Sequence, residues 1–132
     1  EGNTAPYLQY AYARICSIFR KWGGDRESLR ESFDTLLEDG TRMLTAEELS
    51  LTRRLVEFPS ILDDTISTFS PHKLCKHLHS VASSFASFYE NCSILKEEDQ
   101  SLSSRRLALC DLTARELQLG LGILGIDVPQ RM

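Results

Sequence analysis

The chain has 132 residues, 42% of them hydrophobic and 26% charged, the length of one domain with apolar content enough for a core of its own. Its 15 Lys and Arg stand against 19 Asp and Glu, a formal charge of −4 that excludes the wholesale phosphate-backbone binding of strongly basic proteins, so any nucleic-acid contact must be local. No stretch could span a bilayer, because the most apolar, residues 117–126, is interrupted by Gly120, Gly122 and Gly125 and falls far short of the roughly 20 residues required.

The sequence opens on Glu1 rather than Met, without a cationic and apolar leader, and enters a helix almost at once. An excised piece of a longer protein is therefore expected. The first helix reads NTAPYLQYAYARICSIFRK, and at 100° per residue it gathers Leu8, Ala11, Ile15, Ile18, Phe19 and Trp22 on one arc. Tyr7, Tyr10, Arg14, Ser17 and Lys21 form a separate stripe with no core duty. Two phenol rings with a guanidinium a turn or two along offer stacking faces and a planar hydrogen-bonding fork, which suits an unpaired nucleotide base and its phosphate. Such stripes are also common as plain solvated surface, with tyrosines lying over a neighbouring helix.

Gly23-Gly24 breaks this helix, and Asp25 with Ser28 starts a second, more acidic one that Asp39-Gly40 ends. Thr45-Ala46-Glu47-Glu48 is a capping box that opens a third helix running to Glu57. Pro59 disfavours helical geometry at Phe58, so the segment kinks or restarts, with Pro59 well placed in a new first turn and Ile61, Leu62, Thr65 and Ile66 extending an apolar face to Phe69. Ser70-Pro71 forms an N-cap and first-turn pair for a helix whose Leu74, Leu78, Val81, Ala82, Phe85, Phe88 and Cys92 share one arc, with Tyr89 at its edge.

A polar loop, residues 96–101, leads to the last helix. There Leu107, Cys110, Ala114, Leu117, Leu121 and Leu124 form one apolar stripe and Leu109, Leu112, Leu119 and Ile123 another, so this helix is expected to sit between others. Gly125 can cap it and Pro129 prevents its continuation. No strand-like alternation occurs. The expected fold is all-α, a single bundle of about five or six helices over residues 1–132.

Several motifs invite chemistry and fail its requirements. Gly120-Leu121-Gly122-Ile123-Leu124-Gly125 spells a dinucleotide fingerprint, but at the end of a helix with no strand before it, so close helix packing is the better account. His72, Cys75 and His79 share a helix face yet supply only three ligands, with His77 pointing elsewhere, so no metal is expected. The pairs Glu47-Glu48, Asp63-Asp64 and Glu97-Glu98 diverge on a helix and read as solvated surface, which leaves no acid–base or nucleophilic constellation and no expected catalytic residue or cofactor. Arg53-Arg54, Lys73 with Lys76, and Arg105-Arg106 read as solvated too, except that Arg106 projects near the apolar stripe and needs a carboxylate or ligand. Cys16, Cys75, Cys92 and Cys110 are widely spaced and read as free core thiols of a reducing compartment, the cytoplasm or an organellar matrix.

Separated blocks in order, Asn3-Thr4-Ala5-Pro6-Tyr7-Leu8-Gln9-Tyr10-Ala11 with Ala13-Arg14, Phe58-Pro59, Pro71-His72-Lys73-Leu74-Cys75, Phe88-Tyr89-Glu90-Asn91-Cys92, Arg106-Leu107-Ala108-Leu109 and a close on Pro129-Gln130-Arg131-Met132, cover nearly the whole chain. In these it resembles the C-terminal, DALR-type anticodon-binding domain of arginyl-tRNA synthetases. The resemblance implies a helical bundle that grips the anticodon loop of an arginine tRNA. A separate catalytic domain in the parent, using ATP and magnesium, would charge that tRNA, with no role for DNA or a membrane. It further implies that Tyr7, Tyr10, Arg14, Tyr89 and the terminal Met132 contact the anticodon. Tyr12 and Gln130 depart from the family, which often has a histidine and a glutamate there. The alternative reading of the same residues is a non-catalytic helical module whose tyrosine stripe docks a partner helix.

Overall fold

The computed structural model describes residues 4–30 and 44–128, and among these residues it is helical without strands. Five helices fall entirely within them: α1 (Thr4–Trp22), α2 (Ala46–Val56), α3 (Phe58–Thr68), α4 (Pro71–Asn91) and α5 (Gln100–Ile123). The all-α bundle expected from the periodicity is what forms. Residues 26–30 are helical as well, opened by Asp25, whose Oδ1 accepts from the Glu27 N–H at 3.0 Å. The expected end of that helix at Asp39-Gly40, together with Asn3, Pro129 and Met132, lies outside the described residues.

Local chemistry sets most of the boundaries. Gly23, at φ +72°, ends α1 with its N–H bonded to the Phe19 carbonyl at 2.9 Å. Thr45 caps α2, and the Glu48 carboxylate reaches back to the Thr45 N–H at 2.9 Å, completing the expected box. A single residue, Glu57, separates α2 from α3, and Phe58 is already helical, contrary to the expectation at that residue, with Pro59 in the first turn, where a missing N–H costs no helical bond. Ser70 does sit at the N-cap of α4, but its hydroxyl donates to the Thr68 carbonyl instead of capping, so Pro71 alone carries that start. Asp99 caps α5, accepting from the Ser101 and Leu102 N–H groups. At the other end of α5, Ile126 N–H bonds to Leu121 O and Gly125 N–H to Gly122 O around Gly125 at φ +78°, the six-to-one and five-to-two pattern of a Schellman cap.

Helix α4 packs against all four of the others, so its arc of Leu74, Leu78, Val81, Ala82, Phe85, Phe88 and Cys92 forms the centre of the core. Helix α5 packs against α1, α2 and α4. A Cβ added at Gly120 would lie 2.7 Å from both Leu78 methyl carbons, so close packing explains that glycine. Gly122 faces open space and takes no part in it. Two expected apolar faces are shorter than their pattern: Ile66 and Phe69 of the α3 face are exposed, as are Leu119 and Ile123 of the second α5 stripe. Phe69 caps α3 in the left-handed region, φ +50°, and stands 90% exposed where the chain turns into α4. Cys16, Cys92 and Cys110 are buried, Cys75 half-buried, and all four are free.

The largest departure from the sequence reading is the charge inside the bundle. Glu48 is completely buried and accepts from Arg105 Nε and Nη2 at 2.9–3.0 Å, so neither Glu48 nor Arg105 is the solvated residue its neighbours suggested. Burial alone would raise the Glu48 carboxyl, but the Thr45 N–H and Arg105 bonds, with the charges of Arg105 and Arg106, hold it below the usual 4.5. Arg106 is buried as expected and finds the Ser93 carbonyl at 2.6 Å and Glu97 at 3.4 Å, which brings Glu97 out of the solvated class too. Asp111, almost fully buried, gathers Arg26, Arg30 and Arg115.

Among the described residues Glu116 has no such carboxylate–guanidinium pairing. It is buried, its Oε1 has no hydrogen-bond partner among the described residues, and burial, only partly opposed by Arg115, pushes its pKa up to about 8. In the unfolded chain the carboxyl ionises near 4.5, so between these values the folded form holds the extra proton and stability falls as pH rises. Glu116→Gln is expected to remove that slope and to raise stability at pH 8 by on the order of 2–4 kcal/mol, measured by urea unfolding at pH 5 and 8. An unchanged slope in the variant would overturn this assignment.

Candidate nucleic-acid interface

The first helix buries Leu8, Ile15, Ile18 and Phe19 as its arc requires, and Tyr12, Ala13 and Cys16 widen that arc. Burial, followed by the neighbouring Cys16, raises the Tyr12 phenol above its usual 10, so this tyrosine belongs to the core. The other stripe stays outside: Tyr7, Tyr10, Arg14 and Lys21 are exposed and Ser17 is half-buried.

Packing of α1 on α4 then adds what the helical pattern could not show. The Arg14 guanidinium lies over the Tyr89 ring, 5.0 Å from its centroid, and Tyr89 stacks on Phe85 at 6.2 Å with 26° between planes. Phe85 is a fully buried core residue, so the cation and its ring rest on a rigid base. One to two turns nearer the helix start, Tyr7 meets His79 of α4, centroids 5.0 Å apart, while Tyr10 stands 59% exposed between the two pairs. Gln9 of α1 donates to the Asp127 carbonyl at 2.9 Å, which ties the chain leaving α5 to this helix.

Beyond Tyr89 the stripe runs into an open cleft of about 290 Å³, with Ile18 and Lys21 on the α1 wall and Ile94 and Lys96 on the opposite one. The structure thus brings Tyr7, Tyr10, Arg14 and Tyr89 onto one face, while Met132 lies outside the described residues. The sequence reading missed His79 and Lys96 here: His79 was weighed only as a metal ligand, and Lys96 lies in a loop with no periodicity to place it. His72 is exposed and Cys75 half-buried, and the described residues contain no group of three His, Cys, Asp or Glu placed to hold a metal ion.

Chemically the face offers ring surfaces, in-plane guanidinium donors and two ammonium groups in an otherwise acidic protein. Such a set can stack on bases and neutralise a few phosphates, and it holds no paired carboxylates for proton transfer. The DALR anticodon binding domain profile matches residues 8–132. The chain belongs to that family. An arginine–tRNA ligase of Rippkaea orientalis is 44% identical over all 132 residues, which make up 21% of that relative. The arginyl-tRNA synthetase structure from Thermus thermophilus superposes with TM-score 0.73 at 30% identity, over the whole of this chain and 22% of that one. The Plasmodium falciparum enzyme superposes with TM-score 0.77 at 28% identity, covering 96% of this chain and 21% of that one. The chain therefore spans about a fifth of the length of the curated relatives it matches. Tyr10, Arg14 and Tyr89 all fall inside the part that the DALR profile covers. No helix among the described residues is long and apolar enough to cross a membrane.

Proposed function

We propose that this DALR domain binds the anticodon loop of an arginine tRNA as one part of an arginine–tRNA ligase, whose activation of arginine with ATP and magnesium lies in a separate domain. The observation that carries the reading is the Arg14 guanidinium poised over the exposed ring of Tyr89, with Tyr10 open on the same face. Every arginine codon has G in its second position, so the middle anticodon base is always C, and one rigid pocket serves all isoacceptors. A splayed cytosine stacks on a tyrosine face, Arg14 takes a phosphate or the polar base edge, and the terminal Met132 closes the pocket beside Tyr89. Lys21 and Lys96 attract the backbone locally, which suits a protein of net negative charge.

The test is a titration with an anticodon stem-loop of arginine tRNA beside one changed only at the middle base from C to G. The C form is expected to bind about tenfold or more tightly, the scale of one good base contact, and its affinity to fall steeply with salt as phosphate counterions are released. Equal affinity for the two would refute base readout by this domain. Binding that ignores salt would favour a helix-docking module in its place.

A further inference from the structure

Helices α1 and α4 lie side by side in the same direction: Tyr7, early in α1, meets His79 of α4, and Arg14, two turns further along α1, meets Tyr89 further along α4. Two turns return a side chain to nearly the same side of a helix, so Tyr7 and Arg14 share one face while standing roughly 10 Å apart along the axis. The face therefore carries two separate ring pairs, with Tyr10 exposed between them. In the pair nearer the helix starts, the Tyr7 and His79 centroids are 5.0 Å apart with 34° between planes. Neither ring belongs to the core, since Tyr7 is 36% exposed and His79 is exposed too, whereas His77, two residues earlier on α4, is buried against Phe58. Rings that meet in this way cover one side of each other and leave their outer surfaces to a third ring.

We propose that Tyr7 and His79 form a second base-stacking platform, which holds an unpaired base of the bound RNA two or three nucleotides from the base at Tyr89. The spacing sets that count. Successive bases of a stacked strand rise about 3.4 Å, so the roughly 10 Å between the pairs is about three stacked steps, and fewer where the strand is splayed. One base cannot cover both pairs. His79 supplies a planar ring for stacking and ring nitrogens at its edge for a sugar or phosphate oxygen. Every base has a π-face, so this platform adds affinity and fixes the path of the strand without choosing a sequence. The preference for C at the middle position stays with the Arg14–Tyr89 pair. The inference rests on the anticodon-loop reading for the identity of the RNA.

The experiment crosses protein variants with stem-loops that lack one base at a time, with binding followed by fluorescence anisotropy at low salt. His79→Ala is expected to weaken the intact C-form stem-loop about tenfold, the scale of one base–aromatic stack, and His79→Phe, which keeps a ring, to retain most of the affinity. An abasic nucleotide two or three positions to one side of the middle base should weaken binding to the unmodified chain about tenfold but leave His79→Ala nearly unchanged, because the ring that this base needs is already gone. An abasic middle nucleotide should weaken both proteins equally. Undiminished affinity in His79→Ala, or equal losses in variant and unmodified chain at every abasic position, would overturn the second platform while the C-over-G preference, and with it the anticodon reading, stands. Coupling of His79 to the middle nucleotide would put both ring pairs on one base and overturn it as well. Coupling at the expected position without any C-over-G preference would keep the platform and refute base readout.

Discussion

Glu48→Ala is expected to destabilise the domain by about 3–5 kcal/mol, the loss typical of removing one partner from a buried, hydrogen-bonded ion pair. The side chain does two jobs in one place. Its Oε1 accepts from Thr45 N–H to finish the α2 capping box, and both oxygens receive Arg105, with Arg106 Nε 3.5 Å away. Alanine leaves the buried Arg105 guanidinium without its carboxylate and loses the return bond to Thr45 N–H, although the Thr45 hydroxyl still accepts from the backbone N–H of residue 48 and Arg106 keeps Ser93 O and Glu97. Against the roughly 5–15 kcal/mol of a domain this size, the variant should unfold at much lower urea. Urea unfolding followed by circular dichroism checks this, with exposed Ser50→Ala as the control, and a loss under about 1 kcal/mol would show that the pair is not what ties α2 to α5. Because the folded carboxyl sits below 4.5, its contribution is present above that pH and disappears as pH falls through the lowered value. The consequence reaches function as well. Arg106 is held beside Glu48 and fixes Ser93 O, at the start of the loop that forms one wall of the cleft beside Tyr89.

Arg14→Ala should weaken binding of the C-form anticodon stem-loop by about 1–3 kcal/mol, and Tyr89→Leu by a similar amount. The two losses should not add. Arg14 rests on the Tyr89 ring, so removing the ring frees the guanidinium to sample other rotamers, and the double variant should lose less than the sum by roughly 0.5–1 kcal/mol. Neither side chain supports the core, since Arg14 is exposed and Tyr89 is 40% exposed, so unfolding midpoints should stay close to the parent's. Wild-type affinity in Arg14→Ala, with the fold intact, would remove Arg14 from the interface. Strictly additive losses would mean that the stack seen in the free protein plays no part in binding.

Short-range information was enough for the helices and for one face of the site. The capping box at Thr45, the break at Gly23 and the arc of α4 are governed by residues within a turn or two of one another and are present as their patterns require, while the restart falls at Phe58, the residue that Pro59 was expected to keep out of the helix. The tyrosine stripe of α1 was legible in the same way, because helical periodicity alone separates it from the core arc. Where periodicity misled, as at Ile66, Phe69, Leu119 and Ile123, it correctly placed residues on one face but could not say how far the covering helix extends.

The sequence by itself therefore determined an all-α bundle and a first helix with a non-core aromatic and basic face. It also carried the likeness that pointed to the DALR family. Only the tertiary structure decided that Arg14 lies over Tyr89, that Glu48 and Arg105 meet inside the bundle, and that His77 is buried against Phe58. The physical reason is separation along the chain. Glu48 and Arg105 are 57 residues apart, and each looks solvated beside its own neighbours. Their charges can be buried only because folding brings the two together, and no local pattern records a partner that distant.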